Sequence, residues 1–356
     1  MTDFTTGSIW RHLLAFSWPM FVGNLLQALY NTVDSFWVGR YVGAEALGAV
    51  SISFPVTFIL MAMIMGLTMA TTTLVAQYRG AQDHQRVRQT VTNALSLIGG
   101  IGLVSVVAGI LLRVPILRLI RTPESILQPA SQYLKIFLIG LFPGFLYNLL
   151  SSILRGLGDS RTPLRFLVYA TVVNTILDPI LIVGLGPIPA MGIAGAAWAT
   201  VAAQTLSAVL SFAALGRSTD LISQDLRDWK IDRNLVGKLF TIGIPAALQS
   251  TIVSSSMLVV TTLVNTFGAT VVAAFGAAGR LDQFAFLPAM SVSLAVSALV
   301  GQNLGAGKRE RVREIVRWSS GLTASITGII SLVAIFAPTW LIRIFTDDPG
   351  VLAEGA

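Results

Sequence analysis

Nine apolar stretches, each longer than 20 residues, recur along the chain with polar breaks between them. They fall at about 13–36, 46–77, 91–112, 131–153, 164–184, 190–216, 239–266, 270–301 and 318–338. A helix rises about 1.5 Å per residue, so about 20 apolar residues cross a bilayer core of about 30 Å. The runs of Leu, Ile, Val and Ala are continuous and lack the alternation that strands of a membrane barrel require. The pattern predicts an all-α, multi-pass membrane protein with about nine transmembrane helices.

Composition agrees with this pattern. Hydrophobic residues make up 54% of the 356, charged residues 12%, and the mean hydropathy is +0.75. A soluble chain carries about 25% charged residues, which excludes a soluble enzyme. The net charge of +7 is read as a topology signal rather than an affinity for nucleic acid. The absence of cysteine excludes disulfides, thiolate metal sites and a cysteine nucleophile. Residues Met1 to Trp10 lack the basic start and cleavage site of a signal peptide, so the first span is expected to stay.

Lys and Arg divide unevenly between the two sides. Seventeen fall on the side that holds the N-terminus and the loops after the second, fourth, sixth and eighth spans, against seven opposite. Arg280 is among the seven and lies at the edge of the eighth window. The bias predicts a cytoplasmic N-terminus in a plasma (inner) membrane.

The chain also repeats itself. Residues 73–88, TLVAQYRGAQDHQRVR, align with 298–313, ALVGQNLGAGKRERVR, at an offset of 225. Pro19 pairs with Pro245 and Gly43 with Gly268 within one residue of that offset. The first unit holds an even number of spans, so both units insert with the same orientation, as in the parallel repeats of some secondary transporters. The organisation predicted is an N-lobe at 1–216 (spans 1–6), a cytoplasmic linker at 217–238 and a partial C-lobe at 239–356 (spans 7–9). Two units of this size predict a chain near 450 residues, so the reading is of a C-terminally incomplete transporter.

Among 17 acidic residues, Asp34, Asp178 and Asp282 alone fall inside the windows. A carboxylate at mid-bilayer costs about 2.5–3.5 kcal/mol on insertion scales, so each needs a reason. Gln27, Tyr30, Asn31 and Asp34 share one helix face, and Asn174 lies one turn before Asp178. Carboxylate, amide and hydroxyl oxygens are hard ligands suited to a proton or Na⁺. Packing is the alternative role for each, and Asp282, near Arg280, has no assigned role. Pro19 removes a helix hydrogen bond within the first span and predicts a kink.

Other chemistry fails on spacing. The run Asn303 to Lys308 lacks the glycine and Ser/Thr positions of a phosphate loop. His12 and His84 have no ligand-spaced partners, so no metal site beyond Na⁺ and no cofactor is expected. The run Arg155 to Pro163 reads as a Gly/Pro turn of structural role.

Several segments together resemble the multidrug and toxic compound extrusion (MATE) transporters. They are Val33-Asp-Ser-Phe-Trp-Val-Gly-Arg40 with Gly43-Ala-Glu-Ala-Leu-Gly-Ala49, the loop Arg155–Pro163, Asn174-Thr-Ile-Leu-Asp-Pro179 with Gly195-Ala-Ala-Trp-Ala-Thr200, and Gly301-Gln-Asn-Leu-Gly-Ala-Gly-Lys308. The resemblance implies two lobes of six helices around a cleft, and cation-coupled (H⁺ or Na⁺) antiport of amphipathic, often cationic compounds. It further implies a cation site at Asp34, Asn174 and Asp178, with Gln27, Tyr30, Asn148 and Thr200 as further candidates. Span 7 has no acid, so the DNA-damage-inducible (DinF) branch is resembled more closely. The expected partners are small amphipathic molecules and the lipid bilayer, with no nucleic acid, and the expected state is a monomer.

Three alternatives compete with this reading. A lipid-linked saccharide flippase would need a cationic cleft, and spans 1 and 2 contain no Lys or Arg before Arg40. A membrane-embedded prenyl-transfer enzyme would need clustered Asp pairs, and the adjacent pair Asp347-Asp348 lies outside the spans, so no enzyme is expected. A passive scaffold would leave two buried acid–amide clusters unexplained.

Overall fold

The computed structural model describes residues 1–41, 44–119, 122, 124–185, 187–218, 229–343 and 349–355; within its helices the side chains of 35, 44–59, 125, 126, 218, 258, 269, 277, 280, 281, 283, 284, 349 and 354 are not described. Gly43, the side chains of Ala44–Ala49, most of the linker (219–228), the Arg280 side chain and Asp347-Asp348 therefore lie outside the described residues. The helices are α1 (Ile9–Tyr41), α2 (Ala44–Gly80), α3 (His84–Leu119), α4 (Glu124–Gly156), α5 (Arg161–Val183), α6 (Ile193–Ser218), α7 (Arg233–Asn265), α8 (Ala269–Gly305), α9 (Arg309–Phe336), α10 (Pro338–Arg343) and α11 (Pro349–Gly355). Among the described residues there is no strand, and nine helices are long and apolar enough to cross a membrane. They coincide with the nine apolar windows but overrun them. α1 has 33 residues, because backbone hydrogen bonding continues past the apolar core into polar ends. The hydropathy pattern did not anticipate α10 and α11, which are too short to span; Ile342 and Val351 pack there against Ala274 of α8.

The largest core cluster joins α2, α3 and α4, for example Leu67, Leu74, Val91, Ile98, Leu138 and Phe145, with Leu215 and Leu239 added from α6 and α7. A second cluster packs Phe4, Leu13 and Phe16 against Ala295, Leu299 and Ile315 of α8 and α9. α1 thus bridges the two halves of the chain.

The sequence repeat reappears as backbone geometry. The Asp83 N–H donates to the Tyr78 carbonyl at 3.0 Å and Gln82 N–H to Arg79 at 3.1 Å; 225 residues on, Lys308 N–H donates to Asn303 at 2.9 Å and Gly307 N–H to Leu304 at 3.0 Å. Both are helix C-caps that close over a left-handed residue, Gln82 (φ 58°) and Gly307 (φ 71°). The run Asn303 to Lys308 is therefore a helix cap, which explains its glycines without a phosphate. The same symmetry governs how α2 meets α8. A Cβ on Gly80 would overlap the Gln302 carbonyl, and one on Gly305 would overlap the Gln77 carbonyl. At each of these two contacts a glycine on one helix leaves room for the backbone carbonyl of the other.

The N-terminal segment closes this basic end. Thr2 N–H donates to the Gly158 carbonyl at 3.0 Å, and Phe4 N–H to Gln302 Oε1 at 3.1 Å. Gln302 Nε2 reaches the Gly156 carbonyl at 3.1 Å. Arg311 donates to Asn303 Oδ1 and to the carbonyls of Phe4 and Gly7. Residues 2–7 are stitched to the α4–α5 turn on one side and to the α8–α9 turn on the other. Nearby, Asp232 caps α7 by accepting the N–H of Asn234 and Leu235, and pairs with Arg86 of α3 at 3.1 Å. Those N–H groups, chiefly that of Asn234, hold its carboxyl below the usual carboxylate range.

Two outcomes follow from this geometry. Gln82→Gly removes a left-handed non-glycine residue and is expected to stabilise the protein by about 0.5–1 kcal/mol, read as a raised Tm; an unchanged or lower Tm contradicts it. Because the chain has no cysteine, Thr5→Cys gives a single labelling site. Adding Arg311→Ala removes charge-assisted bonds worth about 2 kcal/mol in total and should speed thiol labelling about 30-fold; equal rates would show that the segment is held by other contacts.

Candidate functional site

The α5–α6 turn sets the depth of the acid–amide groups. Met191 and Gly192 N–H donate to the carbonyls of Leu181 and Ile182 at 2.9 and 3.1 Å, so α6 begins against the last turn of α5. Gly195 packs so closely on the Leu181 carbonyl that a Cβ would overlap it. In this antiparallel pair Asp178 lies six residues before Gly184 and Thr200 seven after Ile193, a similar depth from the turn.

Asn174 and Asp178 are both fully buried on α5, and Asn174 Nδ2 donates to Asp178 Oδ1 at 3.1 Å. On α1, Tyr30 is buried and its hydroxyl donates to Thr200 Oγ1 of α6 at 3.0 Å. Asp34 lies one turn beyond Tyr30, half-buried. Asp34 and Asp178 are within Coulombic reach of one another, and both of Tyr30. Three oxygens of this group, Asp34 Oδ1, Asn174 Oδ1 and Asp178 Oδ2, are buried without a hydrogen-bond partner among the described residues. Hard oxygens of that kind accept a proton or coordinate a small cation.

The other candidates lie elsewhere. Gln27 and Asn148 line a cavity of about 290 Å³ bounded by α1, α2, α4, α5 and α8. Gln27 Nε2 reaches Asn31 Oδ1 at 3.5 Å, and Asn148 Nδ2 bonds back to the Gly144 carbonyl. The polar face read along α1 is thus divided, with Tyr30 turned to α6 and Gln27 to the cavity. Asn24, a turn before Gln27, donates to Ser291 Oγ of α8 at 3.0 Å. Pro19 is buried within a continuous α1 at the rim of the same cavity. Asp282 is exposed on α8, before the apolar stretch Ala285–Gly305.

Two residues escaped the sequence reading. Tyr133 of α4 is buried within Coulombic reach of Asp34 and Tyr30; one tyrosine in an apolar window carries no spacing signal. Arg155, assigned to a structural turn, extends its side chain into the cavity wall. The turn itself is structural, since Asp159 accepts the N–H groups of Arg161 and Thr162 and caps α5. The Arg155 side chain is a separate matter that turn chemistry could not reveal.

The family model described as MatE matches residues 19–180 and 245–356. The chain is 36% identical over 355 residues to the probable multidrug resistance protein YpnP of Bacillus subtilis, covering 99% of this chain and 78% of that protein. It is 32% identical over 345 residues to the probable multidrug resistance protein YoeA of the same organism, covering 96% and 74%. A crystal structure of a MATE protein in a straight conformation superposes with a TM-score of 0.89 at 25% identity, covering 99% of this chain and 78% of that one.

The Asn174–Asp178 contact is testable by itself. Removing Asn174 leaves a buried carboxylate without its donor, at a cost of about 1–3 kcal/mol. In a double-mutant cycle, Asn174→Ala and Asp178→Ala are expected to couple by about 1–2 kcal/mol in unfolding free energy. Strict additivity would show that the two side chains do not interact.

Proposed function

The chain belongs to the MATE family of multi-pass membrane transporters, which are not enzymes, and on that premise we propose that it is a cation-coupled antiporter exporting amphipathic small molecules. The observation that carries the coupling is the cluster of three buried, unpartnered oxygens on Asp34, Asn174 and Asp178. A buried carboxylate in an apolar bundle is costly, and a bound proton or Na⁺ offsets that cost in one conformation and leaves in the other. Export is driven when cation and substrate favour opposite states, since each shifts the equilibrium by its differential affinity.

The positive-inside bias supports a cytoplasmic basic end. With α2, α8 and residues 2–7 packed together at that end, this packing supports a reading in which the cytoplasmic side is the closed one. Cation binding on Asp34 would act on α1, the helix that also lines the cavity through Gly23, Asn24 and Gln27. One helix therefore reports cation occupancy to the substrate side.

Asp34→Asn is expected to abolish gradient-driven dye efflux from energised vesicles while membrane insertion stays at the wild-type level. The assay is run separately with H⁺ and Na⁺ gradients, and the gradient whose collapse stops wild-type efflux identifies the ion. Wild-type efflux by Asp34→Asn at equal expression would overturn the assignment.

A further inference from the structure

We propose that the cavity between α1, α2, α4, α5 and α8 holds an oxyanion, the carboxylate, phosphate or sulfonate of an amphipathic substrate, on the guanidinium of Arg155. The inference rests on the transporter reading and gives its substrate a charge opposite to the one the family resemblance suggested.

Among the described residues, Arg155 is the one charged residue that lines the cavity, and no carboxylate accompanies it there. Its Nε is buried without a hydrogen-bond partner among them. The nearest acid in sequence, Asp159, is occupied by Arg161 N–H, Thr162 N–H and the Thr162 hydroxyl, the last at 2.7 Å. Tyr147 is the neighbour with which Arg155 interacts electrostatically, and its hydroxyl already donates to the Pro163 carbonyl at 3.1 Å. Arg155 lies in the last turn of α4, where the helix dipole offsets part of the charge. The dipole gives Nε no acceptor.

A guanidinium cannot shed its proton, so burial leaves it either paired or seeking a partner. The α4 face around it supplies polar groups: Asn148 and Ser151 stand two turns and one turn before Arg155 and line the same cavity. Asn24, Gln27 and the hydroxyls of Thr68 and Thr72 add neutral polar groups, and the apolar part of the wall, built from Met20, Met65, Met69, Met290, Leu164 and Leu294, is the adaptable surface that methionine provides. One cationic end and a deformable apolar wall match a molecule with an anionic head and an apolar body. Guanidinium recognises carboxylate and phosphate oxygens through paired, charge-assisted hydrogen bonds.

The test measures equilibrium binding to the purified chain in phosphatidylcholine nanodiscs, without a gradient, so that a failure of transport does not affect the result. Two dyes on one xanthene scaffold serve as probes, anionic fluorescein and cationic rhodamine 123, read by fluorescence anisotropy. Arg155→Gln should weaken fluorescein binding tenfold or more, about 1.4 kcal/mol, and leave rhodamine binding equal or tighter. Arg155→Lys, which keeps the charge but loses the fork, should lie between wild type and Arg155→Gln. Should Arg155→Gln fail to fold, Arg155→Lys decides: a fluorescein Kd equal to wild type overturns the proposal. It is equally overturned by unchanged fluorescein affinity in folded Arg155→Gln, or by wild-type protein that binds rhodamine but not fluorescein. Phosphatidic acid added to the nanodiscs separates the sources. Displacement of fluorescein assigns the site to a lipid headgroup, and retention assigns it to a free amphiphile.

Discussion

Hydrocarbon offers no hydrogen-bond partner, so every polar group carried into the bundle has to be matched from within the chain. Most side chains here do this locally. Thr71 and Thr205 each donate to the carbonyl four residues back on their own helix, which satisfies the hydroxyl proton without a donor or acceptor from a neighbouring helix. The acid–amide group cannot be treated this way, because carboxylate oxygens accept and the helix carbonyls around them also accept. Asp34, Asn174 and Asp178 retain oxygens without partners among the described residues for that reason, and the proposed cation chemistry rests on those three oxygens.

The same constraint explains how the halves of the chain are held together. Apolar side chains gain little by leaving lipid for one another, so helix association depends on close backbone contact and on hydrogen bonds between helices. Both occur at the basic end, where Gly80 and Gly305 let α2 and α8 touch and residues 2–7 connect the α4–α5 and α8–α9 turns; Gly66 of α2 makes a similar close approach to Gly243 of α7. Joints made of polar contacts and glycine approaches can be released and remade. An extended hydrophobic interface would resist such a change.

α1 links the two proposed sites. Tyr30 ties it to α6 beside the acids, and Asn24 ties it to α8 across the cavity. Pro19, which removes one backbone hydrogen bond, stands between those ties and the segment that packs against α8 and α9. A helix anchored on both faces and weakened between them can transmit a change at Asp34 to the cavity.

Hydropathy determined the nine helices, because the bilayer imposes one length and one polarity on every span. The repeat was legible at residues 73–88 and 298–313 because the same left-handed cap is built twice, and caps need particular residues. The acid–amide residues were legible because charge inside an apolar run is rare. Spacing along one helix could not show that Tyr30 turns to Thr200 while Gln27 and Asn148 face a different cavity, since helix rotation is decided by packing against neighbours. Tyr133 and Arg155 were hidden for a related reason: their surroundings come from residues far away in sequence. The tertiary structure alone brought Asp34 near Asp178 and, among the described residues, left Arg155 without a carboxylate in its cavity, because long-range contacts, unlike hydropathy, have no period along the chain.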